Sequence, residues 1–370
     1  MRKIKVGVLG LGRGMTFARQ FNALAESQTA AVCDGIPGRL EAAAKALNTP
    51  GLQTFSQYED LLKSDVDVVV VASGAPEHGK HVCMALDAGK HVLSEVPAEV
   101  SMKACKEIVK AVKRTGLKYM MAENCCYWGY IREYKKVVAS GRLGDVLYAE
   151  GEYLHHIPSL MYSNPTLGPN ASIEEIAKHP DTKRTWRATL HPINYPTHDL
   201  GPILEILDDR CVSVSCLATP PAYGPDYAPA AEVAIFKTAK GRVIKILCEF
   251  ALPRPAHHFF MLMGTKGSME SPRGLAPPEH ILYIEGENMS TWSRMAWDTK
   301  ILGGPKEALA SGHGGADWYI SREFLDCILK DTPPPIDVYR AMDYTLPGIC
   351  AVESAKKGGA AVKIPDPRKI

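Results

Sequence analysis

The chain has 370 residues, 46% apolar and 23% charged, ordinary globular values that exclude collagen-like, disordered and coiled-coil classes. Lys plus Arg is 43 and Asp plus Glu 41, a formal charge of +2. That field is too weak for nucleic-acid or membrane-surface binding to be the main activity. At about 100–200 residues per domain the length suggests two domains.

Met1–Val6 enters a strand-like pattern at once, with neither the apolar segment nor the small-residue cleavage site of a signal peptide. No run approaches the ~18 apolar residues of a membrane span. The 10 cysteines form no C-x-x-C, which argues against a zinc ribbon or a thioredoxin-like site. Cys33, Cys83, Cys105, Cys216, Cys248 and Cys327 sit singly in apolar runs, as free buried thiols do. A reducing cytoplasm is the expected compartment.

In chain order, Ile4–Leu9, Thr29–Cys33, Val66–Ala72, His91–Leu93 and Lys118–Ala122 read as strands. Helical patterns fall between them at Thr16–Ala25, Gly38–Leu47, Glu77–Ala88 and Met102–Thr115. Unbroken apolar strands spaced by helices predict a Rossmann-like, doubly wound parallel sheet over residues 1–125. From about residue 145 the strands lengthen: Asp145–Tyr153, Val212–Ala218, Ala231–Thr238, Arg242–Leu252 and His258–Gly264. Short turns between several of them predict a large open antiparallel sheet. With helices at His198–Leu207 and Asp317–Leu329 and a short last strand at Val362–Pro365, residues 126–370 form a second, α+β domain. Its final segment is placed to pack back on the first. Ser159–Thr185 is polar and aperiodic and reads as a long functional loop.

The run Gly7-Val8-Leu9-Gly10-Leu11-Gly12-Arg13-Gly14-Met15 joins the first strand to the first helix. Such a turn aims backbone N–H groups and a positive helix end at a pyrophosphate. Gly10 and Gly12 fit the first two positions of G-x-G-x-x-G; the third falls on Met15, with Gly14 one residue early. Asp34 closes the second strand, near the spacing expected of a carboxylate on the adenosine ribose. It favours NAD over NADP, although Arg39 nearby leaves NADP open. A turn or helix-cap role is the bland alternative that ribose binding outweighs, given the strand before Asp34.

These residues, with Ala72-Ser73-Gly74-Ala75-Pro76-Glu77-His78 and Gly89-Lys90-His91-Val92-Leu93-Ser94-Glu95-Val96-Pro97, resemble the Gfo/Idh/MocA family of NAD(P)-dependent sugar and cyclitol dehydrogenases. The last stretch is similar to the family's G-K-H-V…E-K-P segment, with Val96 in place of a Lys that assists proton transfer near the nicotinamide. The E-V-P variant resembles a narrower branch of NAD-dependent glycosidases similar to bacterial α-N-acetylgalactosaminidase. Glu123–Tyr127, Asn194–Pro202 and Gly312–Asp317 also resemble that branch.

The resemblance implies a nicotinamide site built from Gly10, Gly12, Arg13, Gly14, Met15, Asp34, Ser73, His78, Glu95, Asn124, Trp186 and Arg187. It places Tyr127, Asn194, Tyr195, His198 and His313 at the substrate. Without the Lys, the proton acceptors for oxidation of a hydroxyl are Tyr127, Tyr195 and His198. Each has a bland alternative: core packing for the tyrosines, helix capping for His198, a local Gly-rich helix entrance for His313 and Asp317. His155-His156 and His257-His258 cannot chelate one ion, since adjacent strand residues face opposite ways; no metal is expected.

Three functions follow from this reading. The first is a dehydrogenase acting on a hydroxyl, at C3, of a sugar or glycoside. The second is a glycosidase that oxidises C3 transiently, eliminates the C1 group, adds water and retains NAD. The third is an NAD-sensing regulator without catalysis. The expected partners are a small sugar or glycoside and further copies of the chain, as a dimer or tetramer.

Overall fold

The computed structural model describes residues 2–163, 173–274, 279–287, 291–297 and 305–370. The middle of the predicted loop, residues 164–172, lies outside them. The chain forms two compact units, one of Met1–Glu133, Trp297–Leu346 and Asp366–Ile370, the other of Tyr134–Ala296 and Pro347–Pro365. Where the sequence suggests a boundary at residue 125, the first unit thus runs on to Glu133 and takes back two later segments.

The first unit begins β1 (Ile4–Leu9), α1 (Gly14–Ala23), β2 (Ser27–Cys33), α2 (Pro37–Leu47), β3 (Gln53–Phe55), α3 (Tyr58–Lys63) and β4 (Val68–Val71). It continues with α4 (His78–Asp87), β5 (His91–Ser94), α5 (Met102–Thr115) and β6 (Tyr119–Met121). The strands form one parallel sheet in the order β3-β2-β1-β4-β5-β6. All four valines of β4 are buried, as a central strand covered on both faces requires. Strand order reverses between β1 and β4, where Leu9 lies opposite Val71; ligands of such sheets bind at the carboxyl ends of strands at that switch point. Helix α5 shows how local signals set boundaries. Ser101 caps its start by accepting from the Ala104 N–H, and Gly116 closes it at φ 67°.

Helix α6 (Gly129–Ala139) leads into the second unit, with β7 (Val146–Leu154), β8 (Tyr162–Ser163), α7 (Ile173–Lys178), β9 (Lys183–Arg184) and α8 (Thr197–Leu207). There follow β10 (Cys211–Ala218), β11 (Ala231–Thr238), β12 (Val243–Glu249), β13 (His257–Gly264), β14 (Gly267–Glu270), β15 (Ile281–Ile284) and β16 (Ser293–Arg294). Helices α9 (Lys306–Leu309) and α10 (Ala316–Leu329) return to the first unit, α11 (Val338–Lys356) passes back, and β17 (Val362–Lys363) completes the large sheet. That sheet runs β16-β15-β14-β13-β7-β12-β11-β10-β17.

The antiparallel expectation needs one correction. Strand β7 enters between the consecutive strands β12 and β13, so it is antiparallel to β13 but parallel to β12. On the inner face, Gly151 of β7 leaves room for α8: a Cβ there would lie 2.9 Å from the Asp199 Cβ. The missing side chain therefore seats the first turn of α8, with His198 and Asp199, close against β7. Among the described residues no helix is long and apolar enough to cross a membrane.

Candidate functional site

The glycine turn of the first unit is a cradle with each glycine in a separate role. Gly10 has φ 86°, and a Cβ on it would lie 2.3 Å from the Ala72 carbonyl oxygen. Gly14 lets α1 pack on β1, since its Cβ would lie 2.7 Å from Val8 Cγ1. The close-packing glycine is therefore Gly14; Met15, at the third slot of the ordinary spacing, is half-buried. A Cβ on Gly12 would meet nothing within 4 Å, so that face is open. No side chain caps α1; the Gly14 and Thr16 N–H groups donate to the Gly10 and Arg13 carbonyls, and the positive end of the uncapped helix suits an anion.

Asp34 stands beside this turn, 7% exposed. Its Oδ2 accepts from the Leu11 N–H at 2.8 Å and its Oδ1 from the Ile36 N–H at 2.9 Å, with Arg39 at 3.4 Å. Oδ1, with one donor, keeps a further lone pair for a ribose hydroxyl. The open Gly12 face, the uncapped helix and this oriented carboxylate fit a dinucleotide. Ser73 and His78 support the neighbouring turn: the Ser73 hydroxyl meets His81 Nδ1 at 2.8 Å, and the buried His78 ring spans the Pro97 and Ser73 carbonyls.

Arg13, Glu95, His313 and Asp317, far apart in sequence, meet in this unit. The Arg13 Nε lies 2.9 Å from Glu95 Oε1, and its guanidinium grips both Asp317 oxygens, one at 3.0 Å. His313 Nδ1 lies 3.0 Å from Asp317 Oδ2. Burial works against the Asp317 carboxylate, but His313 and Arg13 outweigh it and hold its carboxyl below the usual range.

Tyr127 ends a short turn, Asn124–Tyr127, in which all four residues are buried. Its hydroxyl donates to Glu323 Oε2 at 2.7 Å, and the Arg132 guanidinium lies 4.9 Å from its ring centre. Burial and the Glu323 charge push the phenol well above its ordinary value, so it holds its proton and directs it at a carboxylate. Glu323 lies in the apolar pattern of α10 and carried no sequence signal.

In the second unit, α8 and β7 assemble a cluster of imidazoles and phenols. No side chain caps α8, so His198 is not consumed as a cap. Its ring lies edge-on to Tyr153 at 4.9 Å and 5.9 Å from Tyr195. Tyr153 stacks on His258 at 4.8 Å, and its hydroxyl meets His155 Nδ1 at 2.8 Å. His258 Nδ1 lies 3.2 Å from the buried Asp199. Arg187 stacks on Trp186 and on Tyr195 and reaches the Tyr195 hydroxyl at 3.4 Å, so both members of the expected cofactor pair lie in this unit. Asn194 is buried one residue before Tyr195. Sequence reasoning missed Tyr153, His155 and His258. The signal was the two-residue period of a strand, which puts Tyr153 and His155 on one face.

Burial, then the charges of His258, His198 and Arg187, pushes His155 down to about 4. Burial alone pushes His280, against Tyr134, down to about 4. Both are neutral at pH 7, whereas unfolded they titrate near 6.5. Between those values the unfolded chain binds more protons, so stability falls as pH drops through that window. The urea midpoint is expected to fall between pH 7 and pH 4.5, and His280→Phe to flatten the fall. A midpoint equally pH-dependent with and without His280 would refute that assignment.

With this geometry in view, the class is defined by the nucleotide cradle. Residues 4–123 match the family described as "Oxidoreductase family, NAD-binding Rossmann fold", Gfo/Idh/MocA, and residues 230–369 match "Glycosyl hydrolase 109, C-terminal domain". The chain is thus similar to a Gfo/Idh/MocA NAD-binding domain in its first third and to a glycosyl hydrolase 109 C-terminal domain in its last part. A glycosyl hydrolase family 109 protein of Solibacter usitatus is 28% identical over 98% of this chain and 88% of its own. One of Streptomyces filamentosus is 29% identical over 98% and 77%. The fold is shared with levoglucosan dehydrogenase in complex with NADH and L-sorbose, at TM-score 0.81, 19% identity, and 99% and 100% coverage. It is also shared with scyllo-inositol dehydrogenase of Lactobacillus casei, at TM-score 0.74, 19% identity, and 98% and 99% coverage.

Proposed function

We propose that this protein oxidises a hydroxyl-bearing carbon, C3, of a sugar or glycoside, with NAD bound in the glycine cradle and the imidazole–phenol cluster of the second unit handling protons. The observation that carries this reading is the convergence of His198, Tyr153, His155 and Tyr195. Bound NAD would supply the two-electron acceptor for the hydride leaving carbon. In this reading the hydroxyl proton goes to His198, the residue type suited to proton transfer near neutral pH. Neutral His155 orients the Tyr153 hydroxyl, and Arg187 does the same for Tyr195. Tyr127, which can receive a proton as it passes its own to Glu323, is the second acid–base candidate. Asn194 and His313 complete the assignment as sugar contacts.

A second reading is favoured by the glycosyl hydrolase 109 match over residues 230–369. In it the C3 ketone acidifies the C2 proton, a base removes that proton, the C1 group departs, water adds, and the hydride returns to C3. No carboxylate pair flanking the glycosidic bond is needed, unlike ordinary glycosidases.

One assay separates the two. Net NADH absorbance growing with added sugar and NAD supports the dehydrogenase. Release of an aryl group from a chromogenic glycoside, with no net NADH and with deuterium entering at C2 in heavy water, supports the glycosidase. Purified protein that takes up NAD and does neither, across neutral, amino and acidic sugars, refutes both and leaves the sensor.

We further propose a homo-oligomer built across the outer face of the large sheet. Leu217, Ile235 and Met263 stand 65%, 43% and 45% exposed there on β10, β11 and β13, apolar side chains that a second copy would cover. None of the 10 cysteines is joined in a disulfide, which supports a reducing cytoplasm.

A further inference from the structure

The head of α1 carries an arrangement of which the proposed chemistry uses only His313. Three successive residues, His313, Gly314 and Gly315, have φ of 53°, 65° and 99°. Positive φ is uncommon outside glycine, although histidine is among the residues that adopt it, and here the turn is held by its surroundings. What holds it is Asp317, fully buried, which pairs with His313 on one side and with Arg13 on the other. Gly312 makes the fit possible: a Cβ there would lie 2.2 Å from Asp317 Oδ2 and 3.6 Å from Thr16 Cγ2 in the first turn of α1. Trp128 adds a bond from its indole N–H to the His313 carbonyl at 3.3 Å.

Arg13 immediately precedes the first residue of α1, where a guanidinium would be expected to face an incoming pyrophosphate. Here it is committed instead to two carboxylates, Glu95 from the end of β5 and Asp317 from the start of α10. Its ring-side face also lies 4.6 Å from the centre of Phe17. The cation therefore ties three segments together at the nucleotide cradle: the glycine turn, the end of β5 and the Gly312–Asp317 turn. Two carboxylates beside a phosphate site would repel the ligand if left bare; Arg13 screens both.

We propose that the Arg13–Asp317 pair, closed by Glu95 and His313, is a latch that fixes the Gly312–Asp317 turn to the head of α1 and makes bound NAD slow to exchange. Asp317 is a positioning residue: it acts through Arg13 and does not itself touch the cofactor. The proposal rests on the reading of the glycine turn as the NAD site. It gives the chain what a redox-neutral cycle requires, a nucleotide that stays while hydride leaves carbon and comes back.

The test is the rate at which NAD leaves. Full-length protein is loaded with NAD, stripped of free nucleotide by gel filtration and chased with excess NADH, and the NAD retained is followed by its absorbance after denaturation. Asp317→Asn is expected to release NAD at least about tenfold faster than wild type, and His313→Gln and Glu95→Gln faster by smaller factors. The Arg13→Met/Asp317→Asn double variant should release no faster than Arg13→Met alone, because both changes break one pair. Release from Asp317→Asn within twofold of wild type overturns the latch. Should Asp317→Asn fail to fold, unchanged release from both His313→Gln and Glu95→Gln overturns it equally. Wild-type protein that takes up no NAD is a different result, since it removes the nucleotide site itself.

Discussion

Replacing His198 by alanine is expected to lower turnover by at least about a hundredfold, the ordinary contribution of a placed general acid–base group, while NAD uptake is unchanged. The expectation rests on where α8 puts the ring. Gly151 lets the first turn of α8 sit tight on β7, and no cap hydrogen bond consumes the imidazole. It stays half-buried, packed edge-on to Tyr153. Tyr153→Phe should act in the same direction by a smaller factor, because it removes the hydroxyl held by His155 but leaves His198 in place. Phenylalanine keeps the ring contacts with His198, His258 and Phe250, so lost activity there would not be a packing effect. The check is steady-state turnover on the best sugar or glycoside, beside an NAD titration by fluorescence quenching. His198→Ala with near-wild-type turnover would remove this residue from the chemistry and shift the assignment to Tyr127 and Glu323.

The first unit was easier to read than the second for a physical reason. Buried parallel strands are short, continuous apolar runs, and the helices between them carry caps that act locally. Thus β1 and α5 lie where the sequence puts them, and Asp34 stands at the turn its spacing suggests. Strand β3 was missed because Gln53-Thr54-Phe55 is a three-residue edge with little buried apolar content. Helix α11 was missed because Pro347 sits inside it, and proline ordinarily marks a break. The parallel pairing of β7 with β12 depends on which strand enters between two neighbours, and no local pattern encodes that. The same holds for the site. Adjacent histidines invite a metal reading, while the informative spacing is Tyr153 to His155, with His258 brought across from β13. Glu323 and the Arg13–Asp317 pair, separated by 196 and 304 positions from their partners, are legible only once the chain has folded.

Two glycine variants should separate folding from cofactor binding. Gly12→Ala is expected to fold as wild type, since its Cβ would meet no protein atom within 4 Å. It should nevertheless weaken NAD by about tenfold or more, because the second glycine of such a turn is where backbone approaches pyrophosphate. Gly10→Ala should do the opposite first. Its φ of 86° puts an L-residue in a strained region, and the Cβ would overlap the Ala72 carbonyl at 2.3 Å. Strain of about 1–3 kcal/mol adds to that overlap, and the carbonyl belongs to backbone that cannot swing aside. The apo protein should therefore lose stability before any nucleotide is added, read as a lower urea midpoint. Gly14→Ala should fall between them, because its Cβ would press at 2.7 Å on a buried side-chain methyl, Val8 Cγ1, rather than on backbone. Calorimetric titration with NAD beside apo unfolding curves decides the matter. If Gly12→Ala binds NAD as tightly as wild type, the pyrophosphate does not lie on the open face of this turn, and the functional reading built on it loses its anchor.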